Sequence, residues 1–208
     1  MKEEPDHIRD LAEIRSMMER TSKFLSLSGW AGILAGVYAL AGAFIAYKIF
    51  QFNPDEINYK SAESGLITSD LWQVIFLAIF ILMLALGTAI YLSSKKAVKR
   101  DEKLWSPATR RVVINMAVPL VAGGLLTFIL ISNGLNGLIA PMTLLFYGLA
   151  IFNASKFTYE EVKTLGLIEI GLGLLGSLFV NYGLLLWAVG FGLVHIFYGI
   201  YIHYKYER

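Results

Sequence analysis

Six stretches of this chain are apolar without period, and short polar stretches separate them. They lie at 25–49, 71–93, 109–132, 137–154, 160–180 and 184–204, and Leu, Ile, Val, Ala, Phe and Gly dominate all six. Most reach the ~20 residues needed to cross ~30 Å of hydrocarbon at 1.5 Å per helical residue. The pattern predicts an all-α polytopic membrane domain over 25–205, six helices joined as three hairpins. Residues 1–24 follow a different rule. Ile8, Leu11, Ile14 and Met18 recur at steps of three and four, with Asp6, Arg9, Asp10 and Glu13 between them. That spacing predicts an amphipathic helix ahead of the membrane domain. Its mixed charge argues against a basic lipid-binding helix and for a surface cap, or for docking a cytosolic partner or a second copy.

The punctuation between the runs fits helix ends. Ser106-Pro107 puts Pro at the first helical position, where its missing N–H costs nothing. Thr158 to Glu161 reads as a capping box. Asn133 to Gly137 and Asn181 to Gly183 read as tight turns that fold their flanking helices back. Pro119 falls inside the third run and predicts a kink.

The runs also repeat. GTAIYLSSK at Gly87–Lys95 and GLAIFNASK at Gly148–Lys156 close the second and fourth, and GIYIHYK at Gly199–Lys205 closes the sixth more loosely. The first helix of each pair shares a second phrase. Gly29, Gly32, Ile33 and Gly36 correspond to Ala117, Leu120, Val121 and Gly124, and to Gly166, Glu169, Ile170 and Gly173. Three copies of one two-helix unit would share an orientation in the bilayer and surround a pseudo-threefold axis. Spaced small residues let membrane helices approach closely. A six-helix unit of this kind, with spaced glycines in each first helix and a closing glycine in each second, resembles the HdeD-like family of small bacterial inner-membrane proteins. The charged stretch 1–24 and the long acidic segment 50–70 depart from that family's pattern. The resemblance implies an inner-membrane protein linked to acid stress, with no catalytic residues to carry over.

Composition sharpens this picture. The 208 residues are 56% hydrophobic and 16% charged, against about 25% charged in soluble domains, and the mean hydropathy is +0.59. The formal net charge of +2 gives no reason to expect nucleic acid. The distribution of charge says more. Sixteen of the eighteen Lys and Arg fall in the two tails and the even-numbered connections, leaving only Lys48 and Lys60 on the other side. That bias places both ends of the chain in the cytoplasm. Trp30 and Trp105 then fall at the inner boundary, Trp72 and Trp187 at the outer one.

The chain has no cysteine, so disulfides, thiolate metal sites and thiol nucleophiles are excluded. Of the three histidines only His195 and His203 fall in the membrane region, too few for paired haem ligation or a three-histidine zinc site. No His-Glu-x-x-His, Gly-x-Ser-x-Gly or phosphate-binding glycine loop occurs. The expectation is a protein without cofactor or metal, with no catalytic residue, whose partners are the bilayer and whatever docks on 1–24.

One residue breaks the apolar pattern. Glu169 is the only acid well inside a run, where the other two copies carry Gly32 and Leu120. A charge at mid-helix costs roughly 2.5–3.5 kcal/mol on insertion scales, so it ordinarily faces a partner or water. Folding the last hairpin at Asn181 places it opposite about residue 194, which makes His195 the candidate partner. Two readings follow. In one, Glu169 and His195 simply hold two helices together. In the other they form a proton-responsive site, sensing protons or coupling them to a small transporter or channel. Tyr147 and Tyr198 are candidates to extend that site, with Thr127, Asn115 and Asn153 further out.

Overall fold

A computed structural model describes residues 27–52, 69–99 and 105–208. The expected amphipathic helix at 1–24 and most of the acidic segment 50–70 lie outside the described residues. Within them all regular structure is helical. Helix α1 is Gly29–Lys48, α2 Ser69–Lys99, α3 Pro107–Ser132, α4 Ile139–Ala154 and α5 Glu161–Leu178. The last helix, α6, is α-helical over Gly183–Trp187, opens into a π-helix over Ala188–Val194, and is α-helical again over His195–Tyr206. Five helices are long and apolar enough to cross a membrane: Gly29–Lys48, Leu71–Lys99, Pro107–Ser132, Asn136–Phe157 and Val180–Tyr206. Helix α5 is set apart by Glu161, Lys163 and Glu169. Its 18 residues span about 27 Å at 1.5 Å per residue.

Local chemistry explains most boundaries. Ser106 caps α3: its side chain accepts from Thr109 N–H at 3.2 Å, and Thr109 Oγ1 accepts from Ser106 N–H at 3.4 Å, with Pro107 at the first helical position. Gly134 carries φ of 70° in the turn after α3, a left-handed conformation that side chains resist. Pro119 does not end α3. It removes the N–H that would bond the Asn115 carbonyl, and Asn153 Nδ2 of α4 donates to that carbonyl instead, at 3.0 Å. The orphan left by the proline is thereby satisfied from the neighbouring helix.

Two expectations are corrected. Thr158 does not cap α5. Glu160 holds the cap position without a side-chain hydrogen bond, and the buried Thr158 Oγ1 has no partner among the described residues. The chain leaves a 3₁₀ turn at Ser155–Phe157 through an extended Thr158, and α5 begins only at Glu161, too late for Thr158 to take the cap position. Helix α2 continues to Lys99 rather than stopping at 93. Ser93 and Ala97 are buried there, and Lys96 is anchored inward, so this polar end is packed rather than frayed.

Helices α1 and α4 bury more of their length than the other candidate spans; the central stretch of α2 buries no residue and that of α3 almost none. Phe76, Phe80, Met83, Val118, Leu125 and Phe128 project outward, each more than half exposed. The contacts of α6 with α4 and α5 join two groups of helices, which are packed through α1 with α2, α3 with α4, α4 with α5, and α6 with α1. The last two share a register. A Cβ on Gly148 would lie 2.9 Å from Gly166 O and 2.7 Å from Ile170 N. A Cβ on Gly199 would lie 2.5 Å from Gly29 O and 2.6 Å from Ile33 N. In both, a glycine of an even-numbered helix meets corresponding backbone atoms of an odd-numbered one, too close for any side chain. The third such pair, α2 with α3, barely touches: Gly87 and Gly124 have open space where a Cβ would go.

Candidate functional site

Glu169 projects from the middle of α5 and is completely buried, as is Leu144 beside it on α4. Its Oε1 lies 3.3 Å from Nδ1 of His195, the first residue after the π-helical segment of α6. Neither carboxyl oxygen has a hydrogen-bond partner among the described residues. The close approach is therefore an electrostatic contact without aligned hydrogen bonds. A buried carboxyl without donors costs free energy, which marks this as a place where the fold tolerates a penalty.

The imidazole is held from both sides. Nδ1 is 3.0 Å from the Gly190 carbonyl, and Nε2 is 3.0 Å from the Tyr147 hydroxyl. A carbonyl only accepts, so Nδ1 carries the hydrogen. In the neutral ring Nε2 then accepts from Tyr147 O–H. A positively charged ring in this place would face Glu169 across 3.3 Å. The arrangement links a carboxyl, an imidazole and a phenol from α5, α6 and α4. Phe191 lies beside it, its ring 5.0 Å from that of Tyr147 and 5.7 Å from that of His195.

Gly190 makes the site sterically feasible. A Cβ there would come within 2.5 Å of Glu169 Oε2 and 2.6 Å of Leu144 Cδ2. The π-helical segment widens the turn in which Gly190 sits, and such segments recur at functional sites. Sequence reasoning missed Gly190. Its role depends on contact between helices, and a glycine in a glycine-rich membrane helix carries no local signal.

The remaining sequence candidates separate. Tyr198 is on α6 one turn past His195, but its buried hydroxyl has no partner among the described residues. It packs against the cluster of Ile151, Val162, Leu165 and Ile202. Thr127 bonds back to Gly123 O of its own helix at 2.9 Å. Asn115 Nδ2 donates to Arg111 O, and Asn153 to Asn115 O. These three serve helix geometry, with no described bond to Glu169.

A second polar cluster closes one end of the bundle. Lys96 Nζ donates to Leu27 O at 2.5 Å and pairs with Glu207 Oε1 at 3.0 Å. Glu207 also accepts from Gly29 N–H at 2.9 Å, taking up a free donor at the start of α1, and lies 2.7 Å from His203 Nδ1. Burial would push the Glu207 carboxyl up. Hydrogen bonds from His203, Gly29 and Lys96 outweigh it and hold the group down at about 2. Nearby, Glu161 pairs with Lys205 and accepts from Tyr206 O–H at 3.0 Å. The starts of α1 and α5 and the ends of α2 and α6 thus meet in one place. Among the described residues no group of acids and histidines is arranged to hold a metal ion. Compared with known protein families, characterised proteins and solved structures, the chain matches none.

Proposed function

We propose that this chain is an integral membrane protein that crosses the bilayer six times as three two-helix hairpins and acts by binding or sensing rather than by catalysis. The proton-bearing Glu169–His195–Tyr147 array is its responsive element. The single observation that carries the reading is Glu169: wholly buried, without a hydrogen-bond donor among the described residues, and 3.3 Å from an imidazole. A carboxyl kept only to hold helices together would be expected to sit among donors. This one is positioned so that its interaction with His195 depends on the protons the two share.

Several observations support the membrane placement and the hairpin repeat. The outward faces of α2 and α3 are apolar through their central stretches, which suits lipid and not water. The matched glycine registers at α4/α5 and α6/α1 are what a repeated unit would produce. The Lys and Arg bias supports a cytoplasmic position for the Lys96–Glu207 end. The resemblance to the HdeD-like family adds an acid-stress setting in a bacterial inner membrane, and residues 1–24 provide a docking element for a cytosolic partner or a second copy.

The test is a pH step on protein reconstituted in vesicles, read by tryptophan fluorescence. Trp187 lies 5.0 Å from Phe191, itself in contact with His195. The wild type should give a reversible pH-dependent change that Glu169→Gln abolishes. An unchanged response in that variant would refute the assignment. The second reading, a small proton-coupled transporter, is favoured by the π-helical break in α6 at the site. It requires Glu169-dependent proton or solute flux across the same vesicles.

A further inference from the structure

Helix α2 runs two turns beyond its apolar stretch and carries Lys95, Lys96 and Lys99 there. Lys96 turns inward to Leu27 O and Glu207. Lys95 and Lys99, four residues apart, lie on one face of the helix. Both are exposed, and among the described residues neither has a hydrogen-bond or ion-pair partner. They line a cavity of 410 Å³ together with Ser28, Trp30, Leu92 and His203, between the ends of α1, α2 and α6. Glu207 is also in the wall, but its charge is already met by Lys96, His203 and the Gly29 N–H. Among the described residues the uncompensated charge in the cavity is positive.

The surroundings are amphipathic. Trp30 is half exposed, and its ring meets that of His203 edge-on at 5.5 Å. Below the lysines the outer surface of α2 becomes apolar through Tyr91, Ile90 and Leu86. A ligand with a phosphate at one end and hydrocarbon at the other would match this sequence of surfaces. A basic pocket between membrane helices, at the side where anionic lipids concentrate, is suited to a lipid headgroup. We propose that this cavity binds the headgroup phosphate of an anionic phospholipid, with Lys95 and Lys99 as its charged contacts. The proposal rests on the membrane reading but not on Glu169.

The experiment uses full-length protein, delipidated in a neutral detergent, titrated with short-chain phosphatidylglycerol and followed by native mass spectrometry. Short-chain phosphatidylcholine and inorganic phosphate are titrated in parallel. Wild-type protein should bind phosphatidylglycerol about tenfold or more tighter than the Lys95→Gln/Lys99→Gln variant does, on the basis of the usual worth of two such lysines. Lys156→Gln/Lys163→Gln, exposed lysines elsewhere, should bind as wild type. On wild-type protein alone, raising salt from about 0.1 M to about 1 M should weaken binding, because exposed charges are then screened. Four results would overturn the proposal: equal affinity for phosphatidylcholine, equal loss in the control variant, no salt dependence, or inorganic phosphate competing as well as the lipid. The last would assign the cavity to a free anion. None of these bears on the Glu169 response, and a pH-silent protein that still binds phosphatidylglycerol would separate the two claims.

Discussion

Gly190 and Glu169 compete for one space, and the fold gives it to the carboxyl. Gly190→Ala should destabilise the protein by about 1–3 kcal/mol, the usual cost of overpacking a fixed core. Part of that loss should be recovered in Gly190→Ala/Glu169→Ala, because the second change removes the oxygen that the new methyl meets at 2.5 Å. Thermal unfolding of the four proteins of this cycle measures the coupling, and strict additivity would contradict the packing argument. Glu207 makes a separate prediction. Its folded-state carboxyl is held at about 2 against an ordinary 4.5. A depressed carboxyl stabilises the fold at pH above 4.5, and the benefit drains away as pH falls towards 2. Wild type and Glu207→Gln should therefore differ most in unfolding midpoint above pH 4.5 and converge below it. At this scale the sequence disclosed what broke a pattern. A lone acid in an apolar run was visible, and hairpin geometry pointed from it to His195. Gly190 was hidden among other glycines. The missing partner of Tyr198 was hidden too, because nothing in a tyrosine's neighbours along the chain says what its hydroxyl will meet.

Between helices, the matched glycines give the sharpest contrast. Gly87 and Gly148 occupy corresponding positions in the sequence, yet a Cβ on Gly87 meets nothing within 4 Å while one on Gly148 would strike the α5 backbone. Gly148→Ala should cost more than about 1 kcal/mol, since backbone cannot yield as a side chain can. Gly87→Ala should be neutral or stabilising by up to about 1 kcal/mol through helix propensity. Unfolding in mild detergent checks both, and equal losses would contradict the observed difference between the interfaces. Helix positions were legible because uninterrupted apolar runs are the strongest signal a membrane chain offers. The ends were less so. The extension of α2 to Lys99 looked like loop because its residues are polar, while what keeps them helical is a lysine reaching to Leu27 and Glu207, distant in sequence. The Thr158 cap failed because α5 begins at Glu161, so that Glu160 and not Thr158 takes the cap position.

For the molecule as a whole, the outward apolar faces of α2 and α3 and the inward polar array describe a bundle turned towards lipid. The protein should leave the membrane only with detergent and remain in the pellet after alkaline or high-salt washing. The helix on which the topology turns is α5. It is the shortest of the long helices after α4, and with Glu161, Lys163 and Glu169 it is the one that does not count among the five apolar enough to cross. If it crosses, six spans follow; if it does not, the two ends of the chain lie on opposite sides. Since the chain has no cysteine, single cysteines report without background. They are placed at Lys99, Asn133, Glu160 and Tyr182 and exposed to a membrane-impermeant thiol reagent on intact cells. The account predicts labelling at Asn133 and Tyr182 and protection at Lys99 and Glu160 until the cells are opened. Labelling of Glu160 and Tyr182 from the same side would mean that α5 does not cross, and the six-span account would be wrong.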